Sequence, residues 1–254
     1  MRKSIVGLTA VLLSSIAAPA LAQDEPAPAV TVTGGATVVS DYRFRGISQT
    51  DKRFAVQGTF TIAHESGFYA TVWGSSIDDY VAAGSDQEID LIAGWAKDFN
   101  GTKLDLGVLY YYYPGSGGVN SDFVEPYVAV SHTFGPLSAK VSAAYAPKQN
   151  AIGLTFPVGT GSVFKKEDNL YTALDLGAGI PNTPVSLSAH LGHSFGPSYL
   201  TIGKEYTDWS VGASYTWNHL TFGVSYVDTD GDFITPTGRN ASKAGVVGSI
   251  GVAF

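Results

Sequence analysis

The chain has 254 residues, a formal net charge of −7 and no cysteine. Without cysteine, neither a disulfide framework nor a cysteine-ligated metal site is possible. The acidic balance argues against a nucleic-acid partner, and the sequence contains no phosphate-binding loop or zinc-ligand spacing. Glycine makes up 30 residues, about 12 percent against a usual value of about 7 percent, which favours β structure and turns.

The N-terminus has the pattern of a secretory signal peptide. Residues 1–3 are Met-Arg-Lys, an apolar stretch covers 5–19, and residues 20–22 (Ala-Leu-Ala) are a small-residue cleavage pattern. Removal of 1–22 takes away two basic residues and no acidic ones, so the net charge changes from −7 to −9. The rival interpretation, a membrane anchor helix, needs about 20 apolar residues and usually lacks such a cleavage pattern. We therefore expect an exported, acidic protein.

The rest of the chain predicts one β domain. Residues 23–34 are acidic and proline-rich and are expected to form a flexible periplasmic leader, followed by a barrel over 35–254. Apolar and polar residues then alternate with period two, which is typical of strands whose faces meet different surroundings. No apolar run beyond the signal peptide is long enough to cross a bilayer as a helix. The twelve candidate strands are one that begins near 32–36 and includes 40–46, then 54–63, 68–75, 88–97, 103–113, 123–131, 137–145, 170–177, 185–192, 208–217, 220–226 and 245–254.

The connections between these strands alternate in length. Short links lie at 64–67, 98–101, 133–136, 179–184 and 218–219. Longer links lie at 46–53, 76–87, 114–121, 147–168, 195–206 and 229–243. Short turns on one side, long loops on the other and an even strand count are typical of outer-membrane barrels. We predict an all-β fold, a transmembrane antiparallel up-and-down β-barrel of about 12 strands with short periplasmic turns and longer extracellular loops.

Aromatic residues on the apolar face indicate which solvent that face meets. They gather near strand ends, at Phe44, Tyr110, Tyr112, Tyr145 and Tyr226 on the loop side and at Phe60, Phe68, Trp95, Trp217 and Phe254 on the turn side. Amphipathic rings settle at the depth of lipid headgroups, so two belts favour a membrane barrel. The alternative is a soluble β-barrel or sandwich with its apolar face inward, which would place its largest residues at strand centres.

Two stretches near the start resemble the TorF family of porins. They are Ser-Asp-Tyr-Arg-Phe-Arg-Gly-Ile-Ser-Gln at 40–49 and His-Glu-Ser-Gly-Phe-Tyr-Ala at 64–70, the second followed by Trp-Gly-Ser at 73–75. The last residue, Phe254, is similar to the ending through which the barrel-assembly machinery recognises outer-membrane proteins. The resemblance implies the outer membrane of a Gram-negative bacterium. The expected partners of this chain are outer-membrane lipids and lipopolysaccharide, together with the barrel-assembly machinery and periplasmic chaperones during biogenesis.

The alternation also predicts which residues line the lumen. In 40–46, Tyr42 and Phe44 are expected to face lipid, because burying three charges against hydrocarbon would cost several kcal/mol. The charged candidates are Asp41, Arg43, Arg45, Glu88, Asp90, Lys103, Asp105, Glu125, Lys140, Asp175, His190 and Asp208. The aromatic candidates are Tyr69, Trp73, Tyr111, Tyr113 and Tyr127. Seven acids against four bases, before histidine, predict a weak preference for cations.

The predicted function is passive diffusion of small polar solutes or ions through a narrow charged lumen. Eight-stranded barrels are filled by side chains and those of 16 to 18 strands are open, so about twelve strands predict a small pore. Alternatives are a plugged structural barrel and a surface-interaction barrel that adheres through its long loops. The 147–168 loop would constrict the pore if folded inward and would suit a surface role if it projects.

Two further patterns, one catalytic and one metal-like, lack residues or positions that their chemistry needs. His64 and Ser66 have the spacing of a base and a nucleophile for a lipid hydrolase, but lie in a predicted periplasmic turn. The aspartates in 228–232 are spaced like the start of a calcium loop, but Arg239 stands where such a loop needs glutamate. We expect no enzymatic activity, no cofactor and no metal.

Overall fold

The fold is a closed antiparallel barrel of twelve strands. The computed structural model describes residues 28–254, so the predicted signal peptide at 1–22 lies outside the described residues. Over that range, no helix is long and apolar enough to cross a membrane. The strands in chain order are β1 (Val30–Val39), β2 (Arg43–Phe44), β3 (Ile47–Ser48), β4 (Ala55–His64), β5 (Phe68–Ser76), β6 (Gln87–Phe99), β7 (Thr102–Tyr112), β8 (Phe123–Phe134), β9 (Leu137–Val158), β10 (Gly161–Gly179), β11 (Val185–Phe195), β12 (Tyr206–Trp217), β13 (Leu220–Thr229) and β14 (Gly245–Ala253).

The barrel has up-and-down topology. From β4 to β14 each strand pairs antiparallel with its neighbours in the chain, and β1 pairs with both β4 and β14. Gly35 opposite Ala253 is one of the pairs that close the ring. The short strands β2 and β3 form a separate two-stranded sheet. The predicted twelve-stranded up-and-down barrel is confirmed.

The two faces of each barrel strand have opposite character. Outward residues such as Leu91, Val128 and Val224 are 45%, 39% and 52% exposed, whereas inward Asp90 and Glu125 are 1% and 2% exposed. This follows from the period of two, which sends neighbouring side chains to opposite sides of the sheet. From β4 onward, the barrel strands alternate between exposed apolar residues and less exposed inward residues.

The two ends of the barrel differ in the length of their connections. At the short-turn end, Asn100 and Gly101 join β6 to β7 with φ of 55° and 86°, two positive values that suit a tight hairpin turn. At the opposite end, which we call the long-loop end, segments of about ten or more residues connect most strand pairs. These segments cover 40–54, 77–86, 113–122, 196–205 and 230–244.

One predicted loop at this end is instead a continuous hairpin. The 147–168 region belongs to β9 and β10, which are 22 and 19 residues long, and Gly161 pairs with Val158 next to the turn. The Gly and Pro residues of this region are typical of loops, so the sequence predicts a loop here. A two-stranded ribbon can contain Pro157 because each of its strands has a free edge. Val158 is 58% exposed, so the tip stands away from the lumen.

The first strand differs from the prediction at both of its ends. Val30 pairs with His64, so residues 30–34 belong to β1 and not to a flexible leader. Residues 40–46 are not part of a spanning strand, because β1 ends at Val39. The chain then turns into the barrel and forms the β2–β3 hairpin.

The expectation that Tyr42 and Phe44 face lipid is wrong. They are 3% and 9% exposed and belong to a buried cluster with Trp73 and Tyr111. Alternation shows only that neighbouring side chains point to opposite sides, and a hairpin inside the lumen has protein on both sides. The aromatic residues therefore pack against inward rings of the barrel wall.

Candidate functional site

The candidate site is the segment 40–54, which we call the inner loop, together with the barrel residues that hold it. Asp41 organises its first half. The carboxylate accepts hydrogen bonds from Arg43 Nε and Ser48 Oγ, both at 2.6 Å. A tight turn at Arg45 and Gly46, with φ of 49° and 81°, reverses the chain between β2 and β3. These contacts give the loop a fixed shape of its own.

A second set of contacts joins the inner loop to the 230–244 segment that precedes β14. Arg43 Nη1 donates to the carbonyl oxygens of Ala241 at 3.1 Å and Lys243 at 3.2 Å. Asp51 accepts hydrogen bonds from Thr235 and Thr237 at 3.2 and 3.0 Å. We call this set the latch, because it fastens the first long loop to the last one.

Arg45 anchors the inner loop to the barrel wall. Its Nη2 lies 2.7 and 2.8 Å from the two carboxylate oxygens of Glu125 on β8, and its Nη1 donates to Asn169 Oδ1 on β10 at 3.0 Å. The guanidinium carbon also lies 4.1 Å from the centre of the Tyr171 ring. Both side chains of the ion pair are 3% exposed. Removal of one partner of such a buried charge pair strongly destabilises the structure, because the other charge stays buried without a partner.

Aromatic rings fill the space beside this anchor. Tyr42 meets Trp73 edge to face at 5.4 Å and donates its hydroxyl to Glu88 at 3.1 Å. Phe44 meets Tyr111 edge to face at 6.0 Å, and Tyr111 stacks on Phe123 at 4.1 Å. Trp73 and Tyr111 are each 1% exposed. The long-loop half of the lumen is therefore closed by packed rings.

Two acids on β6 lie in this closed region without an ion pair among residues 28–254. Glu88 and Asp90 point inward from alternate positions of the strand, and both are almost fully buried. Asp90 Oδ1 and Trp73 Nε1 have no hydrogen-bond partner within the described chain. The region therefore holds two buried carboxyl groups without a basic partner and has unused hydrogen-bonding capacity.

A second polar network lies further along the lumen, centred on His190. Its Nδ1 is 2.7 Å from Asp175 and its Nε2 is 3.0 Å from Asp208. Lys140 pairs with Asp175 at 2.9 Å, and the Tyr171 hydroxyl donates to Asp208 at 3.0 Å. Since both ring nitrogens face carboxylates, this arrangement suits an imidazolium. Tyr171 joins the network to the Arg45 anchor.

The predicted lumen residues separate into groups. The barrel-wall charges lie on inward faces, whereas Asp41, Arg43 and Arg45 enter on the inner loop. Of the aromatic candidates, Tyr69, Trp73, Tyr111 and Tyr113 are buried, and Tyr69 and Tyr127 share a hydrogen bond. Tyr69 also donates to Asp105 at 2.8 Å. Lys103 makes no ion pair among the residues that the structure describes.

Some residues of the site were absent from the predicted lumen set. Asn169 and Tyr171 both contact Arg45. Tyr171 lies on the inward face that alternation assigns on β10, so its position could be read from the sequence although its partner could not. The predicted assembly residue, Phe254, is 76% exposed and its backbone pairs with Gly34.

The metal-like stretch at 228–232 uses its carboxylates inside the loop. Asp230 accepts a hydrogen bond from the Thr207 amide at 2.6 Å, and Asp232 accepts one from Asn240 at 2.8 Å. Across 28–254, no group of three or more His, Asp and Glu residues is arranged to hold a metal ion.

Comparisons with known proteins identify a family and a fold. The family model described as "Bacterial protein of unknown function (Gcw_chp)" matches residues 23–252. No curated protein matches the chain. The solved NanC porin is similar with a TM-score of 0.56 at 12% identity, covering 88% of this chain and 99% of that porin. An outer membrane channel from Pseudomonas putida F1 is similar with a TM-score of 0.51 at 12% identity, covering 91% and 99% of the two chains. At such identities the likeness shows the fold alone.

Proposed function

Because this chain belongs to the Gcw_chp family of bacterial proteins and folds as a closed twelve-stranded barrel, we propose that it is an outer-membrane channel for small polar solutes or ions. The inner loop is its constriction. The observation that carries the proposal is the Arg45 anchor, which holds a charged loop inside the lumen through Glu125 and Asn169. A loop that enters a barrel of this size controls what passes through it.

The two halves of the lumen differ in their access to water. Near the inner loop, Glu88, Asp90 and Glu125 are at most 2% exposed. On the other side of the constriction, the side chains of Asp175 and His190 are 35% and 25% exposed. Water therefore reaches the His190 network, and the inner loop is the barrier that we propose for a solute. Permeation therefore requires the inner loop to move and open a small passage.

The charge balance supports a preference for cations. Ion pairs join Arg43 to Asp41, Arg45 to Glu125 and Lys140 to Asp175. Asp105 is a further lumen acid without an ion pair within residues 28–254, and acidic linings favour cations. The resemblance of 40–49 and 64–70 to TorF porins agrees with a channel function.

The exterior fits the outer membrane of a Gram-negative bacterium. The outward face carries apolar side chains with rings near the strand ends, such as Phe68 at one end and Tyr226 at the other. Outer-membrane lipids and lipopolysaccharide are the proposed surroundings of this face, and the barrel-assembly machinery with periplasmic chaperones is the proposed route to it. Transport here requires no chemical step.

A second candidate function is a closed structural barrel. It is favoured by the packing of the long-loop half, where Trp73 and Tyr111 are each 1% exposed. Such a barrel would serve through its surface, and the β9–β10 hairpin that stands beyond the rim would be the contact element.

Single-channel recording distinguishes the two candidates. The protein, purified from outer membranes, is reconstituted in planar bilayers and recorded under a salt gradient. Steady small openings with a cation-selective reversal potential support the channel. A heat-modifiable, folded barrel that never conducts would overturn it in favour of the closed barrel.

A further inference from the structure

A cavity of about 240 Å³ lies at the long-loop end, above the inner loop. It is formed by the inner loop, the 77–86, 113–122 and 196–205 segments, the base of the β9–β10 hairpin, and Phe233. The cavity lies on the far side of the inner loop from the His190 network. Neither the proposed ion path nor the comparisons assign it a role.

The walls of this cavity are apolar and rich in rings. The aromatic side chains that line it are Phe44, Tyr80, Tyr113, Phe123, Tyr199 and Phe233. Ile152 and Leu154 of β9 contribute aliphatic surface, and no charged side chain is part of the lining. The cavity opens partly to solvent, and apolar linings of this kind favour apolar or aromatic ligands. A volume of about 240 Å³ therefore has room for two fused rings.

A few polar groups lie among these rings. Ser121 Oγ is buried and has no hydrogen-bond partner among residues 28–254. Gln49 donates its side-chain amide to the Ile47 carbonyl at 3.0 Å, and its amide oxygen makes no hydrogen bond within the described chain. Burial raises the pKa of Tyr80 to about 12, so this residue stays a neutral phenol that donates to the Ser48 carbonyl. An apolar cavity with few free polar groups is typical of a site that orients one small ligand.

We propose that this cavity binds small uncharged aromatic solutes that carry one hydrogen-bonding group, and that it captures them before the constriction. This inference rests on the proposed channel function for the step that follows capture. Phe44 connects the two sites, because its ring lines the cavity and also lies 4.7 Å from the Arg45 guanidinium. A ligand in the cavity thus touches the residue next to the anchor that holds the inner loop in place.

The direct test is binding of 5-fluoroindole, followed by 19F NMR, to the protein in lipid nanodiscs, with empty nanodiscs as the blank. Saturable binding above the blank supports the site. Ala151→Phe places a ring in the cavity and should weaken binding at least about tenfold, since a filled site leaves no room for the probe. Val119→Phe is the matched control, because Val119 is 57% exposed in the 113–122 segment and does not line the cavity.

Two further measurements keep the outcome clear. Ser121→Ala should weaken binding of 5-fluoroindole but not binding of fluorobenzene. Only 5-fluoroindole has an N–H group, which can donate a hydrogen bond to the Ser121 oxygen. If Ala151→Phe does not give a heat-modifiable barrel, Phe233→Ala replaces it and should also weaken binding, because it removes a wall of the cavity. Binding equal to the blank, or unchanged by the cavity variants, overturns the inference.

Conductance separates this inference from the proposed function. Saturable binding by a barrel that never conducts would leave the cavity site standing and refute the channel. Conductance without saturable binding would leave the channel standing and refute the aromatic site. Both together, with 5-fluoroindole altering the open-channel current of the wild type but not of Ala151→Phe, support the coupled account.

Discussion

If the barrel is the channel that we propose, replacement of Arg45 by alanine should release the inner loop and raise the conductance. The substitution removes both contacts to Glu125, the hydrogen bond to Asn169 and the guanidinium on the Tyr171 ring. It leaves Glu125 buried without its partner, which costs about 3–5 kcal/mol in comparable pairs. Release of the loop lets water reach this carboxylate, so the cost falls on the inserted state.

The size of the effect follows from this difference. At about 1.4 kcal/mol per factor of ten, a loss of about 3–5 kcal/mol changes the ratio of inserted to released loop by roughly two to three and a half orders of magnitude. Single-channel recording should then show larger and longer openings than in the wild type. The double variant Arg45→Ala/Glu125→Ala removes the stranded charge and should shift the ratio less.

Arg53→Ala is the matched control on the same loop. Arg53 pairs with Asp78, but its side chain is 65% exposed, and such surface pairs contribute about 0–1 kcal/mol. Its conductance should stay close to that of the wild type. A folded, heat-modifiable Arg45→Ala barrel whose openings match those of the wild type would refute the role of the anchor, as would an equal change in Arg53→Ala.

Two further substitutions test other parts of the lumen. Gly192→Ala should lower the temperature at which the barrel unfolds in detergent, because the added Cβ would overlap with the Tyr171 hydroxyl and lie 2.9 Å from Asp208 Oδ2. Gly179→Ala should leave the unfolding temperature unchanged, because its added Cβ meets nothing within 4 Å. An equal fall of the unfolding temperature in both variants would contradict this prediction. Asp105→Asn should move the reversal potential under a salt gradient toward zero, because it neutralises a lumen acid that has no ion pair within residues 28–254. Glu65→Gln, in the exposed turn between β4 and β5, should leave the reversal potential unchanged, and a shift of equal size there would show that the lumen charge is not responsible.

The barrel could be predicted from the sequence because each strand carries its own signal. Alternation of residues such as Asp90 with Leu91 depends only on local spacing. The number of strands and the side of the sheet on which each residue lies could therefore be predicted without knowing which strands pair. The 40–46 stretch shows the limit of this signal. Tyr42 and Phe44 alternate with charged residues as a spanning strand would, but their surroundings are set by Trp73 and Tyr111, which lie far away in the chain.

The contacts of the candidate site required the structure. Arg45 and Glu125 are 80 residues apart, and Arg45 and Asn169 are 124 apart. Alternation along β8 places Glu125 in the lumen. Its partner depends on how deep the inner loop enters the barrel and at which angle. The sequence contains no local signal for either quantity.

The latch between the first and last long loops has a consequence for the order of folding. Arg43 reaches carbonyl groups 198 and 200 residues further along the chain, in the segment that leads into β14. These carbonyl groups come beside the inner loop only when β14 lies against β1. The latch therefore forms only after the ring has closed, whereas the Arg45 anchor on β8 and β10 needs no contact with the last strand.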